Sequence, residues 1–280
     1  MTTNAQTVPV MNRPKMFFPR EHGATAMLLT PIVAVAILAR TWRWSELAVL
    51  TAAFAAISAK DPAVLLVRQR FLWKRKSPES SAAVPWLLGW TALLLASALV
   101  LLATWPLKSF LAMGAVIAAF ACLAVLVNLK NRQRSTLFQI ASAAALTSTA
   151  LATSLAAFGS IPSWCWTLWA LIAMQACAGI LVVHARLDAR IALRKSTPAS
   201  QTFRHAAQAA LVLLLCGAIA ATALRQVSIA LALAVAIGGY AYDLLRQRNP
   251  VSLQMPLKTV GLQALLLSTV YSLLLITGLW

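Results

Sequence analysis

Residues 84–127 read VPWLLGWTALLLASALVLLATWPLKSFLAMGAVIAAFACLAVLV, and they decide the fold. Two apolar runs, 84–104 and 107–127, are separated only by Trp105 and Pro106, and Lys108 is the single charged side chain in the stretch. At about 1.5 Å per residue, each run crosses a hydrocarbon layer of about 30 Å as a helix. A membrane strand would be half as long, and Ala and Leu favour the helix. Pro106 lacks a backbone donor and stands where the chain leaves one helix and enters the next.

Seven more runs of this kind flank the pair: 22–40, 46–67, 136–158, 163–185, 206–224, 227–245 and 258–279. Breakers fall between them, at Pro78 and Pro85, Gly159 and Pro162, Pro198, and Asn249 with Pro250. The spacing predicts an all-α bundle of nine transmembrane helices in one domain, 19–280, behind a flexible cytoplasmic tail, 1–18. The composition agrees: 61% hydrophobic, 11% charged, mean hydropathy +0.79. A soluble domain carries about 25% charged residues. A disordered chain, a collagen and a disulfide scaffold are excluded on the same ground. Residues 1–19 have no apolar core of the kind a cleavable signal needs, so the first run reads as an uncleaved anchor.

The net charge of +18 could suggest nucleic acid, but its distribution points to a lipid bilayer as the partner and to no nucleic acid. Nineteen of the 24 Lys and Arg residues fall in alternate connections on one side, and four, Arg40, Arg43, Lys108 and Arg225, fall on the other. The positive-inside rule then sets the N-terminus in the cytoplasm and the C-terminus outside. Trp42, Trp44, Trp105, Trp164, Trp166 and Trp280 lie at the outer boundary and Trp73, Trp86 and Trp90 near the inner one, as interfacial anchors do. The inner connections 68–83 and 186–205 are expected to be long loops, with 75–83 mobile. Cys122, Cys165, Cys177 and Cys216 form no CxxC pair and read as small buried hydrophobes.

Ionisable groups are costly in hydrocarbon and are functional candidates by default. Three clusters stand at the inner face. The first is Pro19-Arg20-Glu21-His22-Gly23-Ala24, where Glu21 suits the helix dipole and Arg20 can pair with it or meet a phosphate. A capped interfacial helix start explains it equally. The second is Lys60-Asp61-Pro62 with Arg68; Asp61 and Arg68 share a helix face, and Pro62 is expected to kink or break the helix. Its bland reading is a snorkelling lysine beside a structural ion pair. The third is His184-Ala185-Arg186-Leu187-Asp188-Ala189-Arg190. His184 and Asp188 can face one space, and Arg186, Arg190 and Arg194 form a cationic stripe for a phosphate or diphosphate, or an ordinary positive flank. Asn128 and Lys130, with Arg132 and Arg134, are weaker candidates, as are Asp243 and Arg246, which read as a simple pair, and Lys258. Glu21, His22, Asp61, His184 and Asp188 are thus the candidate acid–base residues. Arg20, Lys60, Arg68, Asn128, Lys130, Arg186 and Arg190 are the candidate substrate-binding ones. No GxxxxGK[ST], GxGxxG or HExxH motif occurs, and no metal site is read from the three histidines.

The segment Pro19–Ala24, with Met27-Leu28-Leu29-Thr30-Pro31, resembles the opening of the YwiC-like family, bacterial integral membrane proteins whose first helix begins P-R-E-H-G-A. Thr25 departs from the Trp common there. Lys60-Asp61-Pro62, the Arg-rich end of the sixth run, and Lys258 with Gly261 are also similar to that family. More distantly, the nine-helix plan resembles the UbiA-type prenyltransferases, whose Asp-rich motifs on the second and sixth helices hold magnesium and a prenyl diphosphate. The matching places here hold Asp61 with Arg68, and Asp188 with Arg186 and Arg190, without the NDxxDxxxD or DxxxD pattern. One carboxylate per place is a poor magnesium clamp, so the cofactor is left open. The resemblance implies a UbiA-like transferase relative in the bacterial inner membrane, taking a prenyl diphosphate or other anionic lipid-like substrate at the cytoplasmic face. A transporter or exporter without covalent chemistry is the alternative, hinted at by Pro31 and Pro62. An assembly subunit is a third reading.

Overall fold

The computed structural model describes residues 22–40, 42–70, 78–129, 135–198 and 200–280. Among them every regular element is helical: α1 (His22–Ala39), α2 (Trp44–Arg68), α3 (Pro78–Thr104), α4 (Leu107–Leu129), α5 (Thr136–Thr147), α6 (Thr149–Phe158), α7 (Ser163–Lys195), α8 (Thr202–Ala223), α9 (Val227–Arg246), α10 (Pro250–Leu253) and α11 (Leu257–Leu279). Eight segments are long and apolar enough to cross a membrane, with α5 and α6 forming one span, and the shorter Gly23–Ala39 stands beside them. The chain is a multi-pass helical membrane bundle.

α7 is the axis. It packs against α1, α5, α6, α8, α9, α10 and α11. Its core faces, Leu168, Ile172 and Val182, meet Val35 of α1, Leu214 of α8, Leu233 of α9 and Tyr271 and Leu275 of α11 in one buried cluster. α2 and α3 pack on each other and reach the rest through α1 and α6. A second cluster, Val49, Leu101, Trp105, Ala152 and Leu155, seals that side. α4 has no buried residue in its membrane window and touches only α2 and α3 at length, so lipid covers it. The outer ends of α1 and α11 meet, with the Arg40 guanidinium 4.1 Å over the Trp280 ring.

Four local features depart from the sequence expectation. α7 does not stop at residue 185; it continues to Lys195, where Ser196 turns left-handed at φ 52°. Ala, Leu, Arg and Lys all favour helix, and no breaker occurs before Pro198. With 33 residues, α7 is about 50 Å long, against the ~30 Å of a hydrocarbon core, so Arg186–Lys195 is a helical projection and not a loop. α3 begins at Pro78, so residues 78–83 are helical as well; proline at a first turn sacrifices no bond. Pro62 neither ends nor interrupts α2. The span 136–158, by contrast, is broken at Ser148 (φ −66°, ψ −4°). There the Ser148 hydroxyl donates to Ala145 O (2.7 Å) and the Thr149 hydroxyl to Leu28 O of α1 (3.0 Å). Trp169 Nε1–H of α7 donates to Ala144 O at 3.1 Å. The Ser148 and Thr149 hydroxyls thus reach the carbonyls of Ala145 and Leu146 at the break, and the Leu28 and Trp169 contacts tie it to α1 and α7.

The cysteines divide. Cys165 is buried and Cys177 half-buried, but Cys122 and Cys216 are exposed on the bundle's outside, so only the first two fill the interior as expected.

Candidate functional site

Two charged side chains, at the end of the bundle towards which α7 runs, organise its polar contacts. Arg186 projects from α7 and is 3% exposed. Its Nη1–H donates to Asp243 Oδ1 of α9 at 2.5 Å, and its Nη2–H donates to the Ser252 carbonyl of α10 at 2.5 Å. Gln247 holds the other carboxylate oxygen: its amide donates to Asp243 Oδ2 and to Val182 O, each at 3.3 Å. The Ser252 hydroxyl donates back to the carbonyls of Asn249 (2.8 Å) and Arg246, and Asn249 caps α10 by accepting from Val251 N at 3.0 Å. A buried cation is tolerable only with such pairing.

One and two turns beyond Arg186, Arg190, Leu193 and Arg194 line an open cavity of about 450 Å³, together with Gln254, just after α10. Two guanidinium groups and an amide offer donors to an anion, Leu193 adds an apolar wall, and no carboxylate lines the space. The stripe read from the sequence therefore divides into a neutralised, buried Arg186 and two cavity-lining arginines.

His184 and Asp188 occupy the opposite face of α7, because two residues along a helix turn the side chain by about 200°. His184 Nε2 is 2.8 Å from Gln139 Oε1 of α5, and its ring stacks on Phe203 of α8 at 5.3 Å. Asp188 Oδ2 is buried without a hydrogen-bond partner among the described residues. Neither lines the cavity of Arg190 and Arg194.

The second cluster sits in another wall, since α2 packs on α1, α3, α4 and α6. Asp61 is exposed there, while Lys60 and Arg68 are half-buried and each engaged by a neighbour. Of the first cluster, Pro19, Arg20 and Glu21 lie outside the described residues, and His22 opens α1. Lys130 likewise lies outside them, and Asn128 is in the last turn of α4.

Asp243 pairs with Arg186, not with Arg246 as its spacing suggested. Arg246 instead points Nη2 at Met255 Sδ (3.5 Å) and lies 5.5 Å from the Tyr242 ring centre. Gln247, Ser252 and Gln254 were not legible as site residues, because uncharged polar side chains after a helix end look like ordinary loop. Glu46 was missed too. It is a carboxylate only 2% exposed in the first turn of α2, at the outer end, and an acidic residue in a first helical turn is the signal that marks it.

The donor set of the cavity does not fit a magnesium–diphosphate clamp. Asp243 is committed to Arg186 and Gln247, and Asp188 is not among the side chains that line the cavity. Among the described residues no group of three or more His, Cys, Asp or Glu is placed to hold a metal ion.

Fold and site together define a polytopic α-helical membrane protein with a buried ion pair and a cationic cavity at one end of its longest helix. Residues 18–154 match the family model described as YwiC-like protein. That stretch, which ends inside α6, is similar to the family, and the similarity agrees with the opening motif. No curated protein and no solved structure matches it.

Proposed function

We propose that the protein binds an anionic, lipid-like substrate, with a prenyl diphosphate as the model compound, at the inner face of the bacterial plasma membrane. The observation that carries this reading is the cavity of Arg190, Arg194, Leu193 and Gln254 at the projecting end of α7. Guanidinium groups recognise phosphate oxygens bidentately, and an amide donor supplements them. The N-terminus is taken to be cytoplasmic, so that this end faces the cytosol, where the charge asymmetry places it.

A UbiA-like transferase relative remains the preferred class, but one that neutralises a diphosphate directly with arginine instead of magnesium. His184 and Asp188 would serve acid–base steps only on their own face of α7. The transporter reading has one observation in its favour: the span α5–α6 is discontinuous near its middle, as substrate-handling helices of transporters are.

The test is direct binding of farnesyl diphosphate to the purified protein in uncharged nanodiscs, with and without magnesium. Salt-sensitive binding that needs no magnesium and falls at least about tenfold in Arg190→Ala and Arg194→Ala is expected. No binding under either condition overturns the reading. Uptake into sealed vesicles without turnover would favour transport.

A further inference from the structure

Helix α10 has only four residues, Pro250–Leu253, far too few to hold a helical turn by propagation alone. Its local supports are the Asn249 cap on Val251 N and the Ser252 hydroxyl, which bonds Asn249 O within the turn and Arg246 O at the end of α9. The bond from Arg186 Nη2–H to Ser252 O, 66 residues away in sequence, ties this turn to α7. Two residues on, Gln254 lines the same cavity as Arg190 and Arg194, and its backbone N–H donates to Val251 O at 3.2 Å. Arg186 is not among the side chains that line the cavity.

We infer that Arg186 is a positioning residue for the anion cavity. Its guanidinium fork, anchored on Asp243, holds the α10 turn and so places Gln254 in the cavity of Arg190 and Arg194. This deepens the binding reading given above and rests on it. A planar fork is required because one end must face a carboxylate of α9 while the other reaches a carbonyl of α10. Lysine offers a single point charge. It satisfies Asp243 and leaves Ser252 O without its long-range donor. Gln247 makes the anchor rigid by holding Asp243 Oδ2 and Val182 O together.

The experiment compares full-length wild type, Arg186→Lys, Gln254→Ala and the double variant in phosphatidylcholine nanodiscs. It reads hydrogen exchange over residues 249–256 and affinity for farnesyl diphosphate. Arg186→Lys is expected to speed exchange in 249–256 about tenfold, while α8 stays unchanged, and to weaken binding about tenfold. Gln254→Ala weakens binding by a similar factor without speeding exchange. The double variant binds no worse than either single one, since both changes remove the same contact. Unchanged exchange in Arg186→Lys, or losses that multiply in the double variant, overturns the inference. If the wild type binds no diphosphate, the binding reading falls, and the exchange comparison still decides whether Arg186 holds the turn. Should Arg186→Lys fail to fold, Asp243→Glu, which displaces the fork by one methylene and keeps the charge, carries the same comparison.

Discussion

Replacing Asp243 by alanine removes the only carboxylate bonded to the Arg186 guanidinium among the described residues, whose side chain is 4% exposed against 22% for Asp243. The Ser252 carbonyl stays as an acceptor, but a dipole does not neutralise a buried cation. Removing one partner of a buried pair typically costs about 3–5 kcal/mol. The partial exposure of Asp243 lets water reach the guanidinium, so the lower end of that range, about 3 kcal/mol, is expected here. Replacing both partners by apolar residues, Arg186→Met with Asp243→Leu, leaves no charge to desolvate. That double variant should recover to within about 1 kcal/mol of the wild type, less the acceptor stranded at Ser252. Reversible unfolding in mixed micelles of dodecyl sulfate and a mild detergent, followed by circular dichroism, gives the free energies of the wild type, Asp243→Ala, Arg186→Met, Asp243→Leu and the double variant. The reasoning is refuted if Asp243→Ala costs less than about 1 kcal/mol, or if the double variant is as unstable as the two single changes added.

Three further outcomes follow from the packing. A methyl group at Gly179 would lie 2.7 Å from the Tyr240 hydroxyl, which accepts from Gln175 Nε2 (2.7 Å) and donates to Gln175 O (3.1 Å), so Gly179→Ala should destabilise by about 1–3 kcal/mol. The same unfolding assay should show Gly179→Ala with Tyr240→Phe recovering part of that loss. Gly89→Ala, where nothing lies within 4 Å, is expected to be neutral, and a loss above about 1 kcal/mol would contradict the open lipid face of α3. For orientation, in a background lacking the native cysteines, a membrane-impermeant thiol reagent on intact cells should label Arg225→Cys and spare Arg248→Cys. Labelling of both, or of Arg248→Cys alone, would refute the assigned topology.

The spans were legible because twenty apolar residues in a row have one physical solution in lipid, and the punctuation by Pro106, Gly159 and Pro162 marks where each ends. What escaped the sequence was decided by tertiary contact. The break at Ser148 has no proline or glycine to announce it; three consecutive hydroxyl residues, Thr147, Ser148 and Thr149, accept the cost by bonding backbone carbonyls. Proline at 62 carried the opposite signal and left α2 intact. At the site, the spacing set His184 with Asp188 and, separately, Arg186 with Arg190 and Arg194 as a cationic stripe. A helix separates residues two apart onto opposite faces, and the extension of α7 to Lys195 turned an expected loop into such a helix. The pairing of Arg186 with Asp243 spans 57 residues, and no local spacing could have shown it.

Burial across the spans shows why the charges gather where they do. The α5–α6 window is 56% buried, whereas the α4 window has no buried residue. The buried span is also the one that carries Thr147, Thr153 and Ser154 at the centre of the bundle, each fully enclosed. Polar side chains are therefore spent inside the protein, where partners exist, and the lipid-facing helices are left to Leu, Ala and Val. The same economy applies at the inner end. Arg186 is enclosed by α9 and α10, which supply a carboxylate and a carbonyl, while Arg190 and Arg194 lie beyond the apolar layer, where their charge needs no fixed partner. Among the described residues, the pair of arginines at the cavity stands beside an Arg186 already paired with Asp243, which is the arrangement the proposed anion binding draws on.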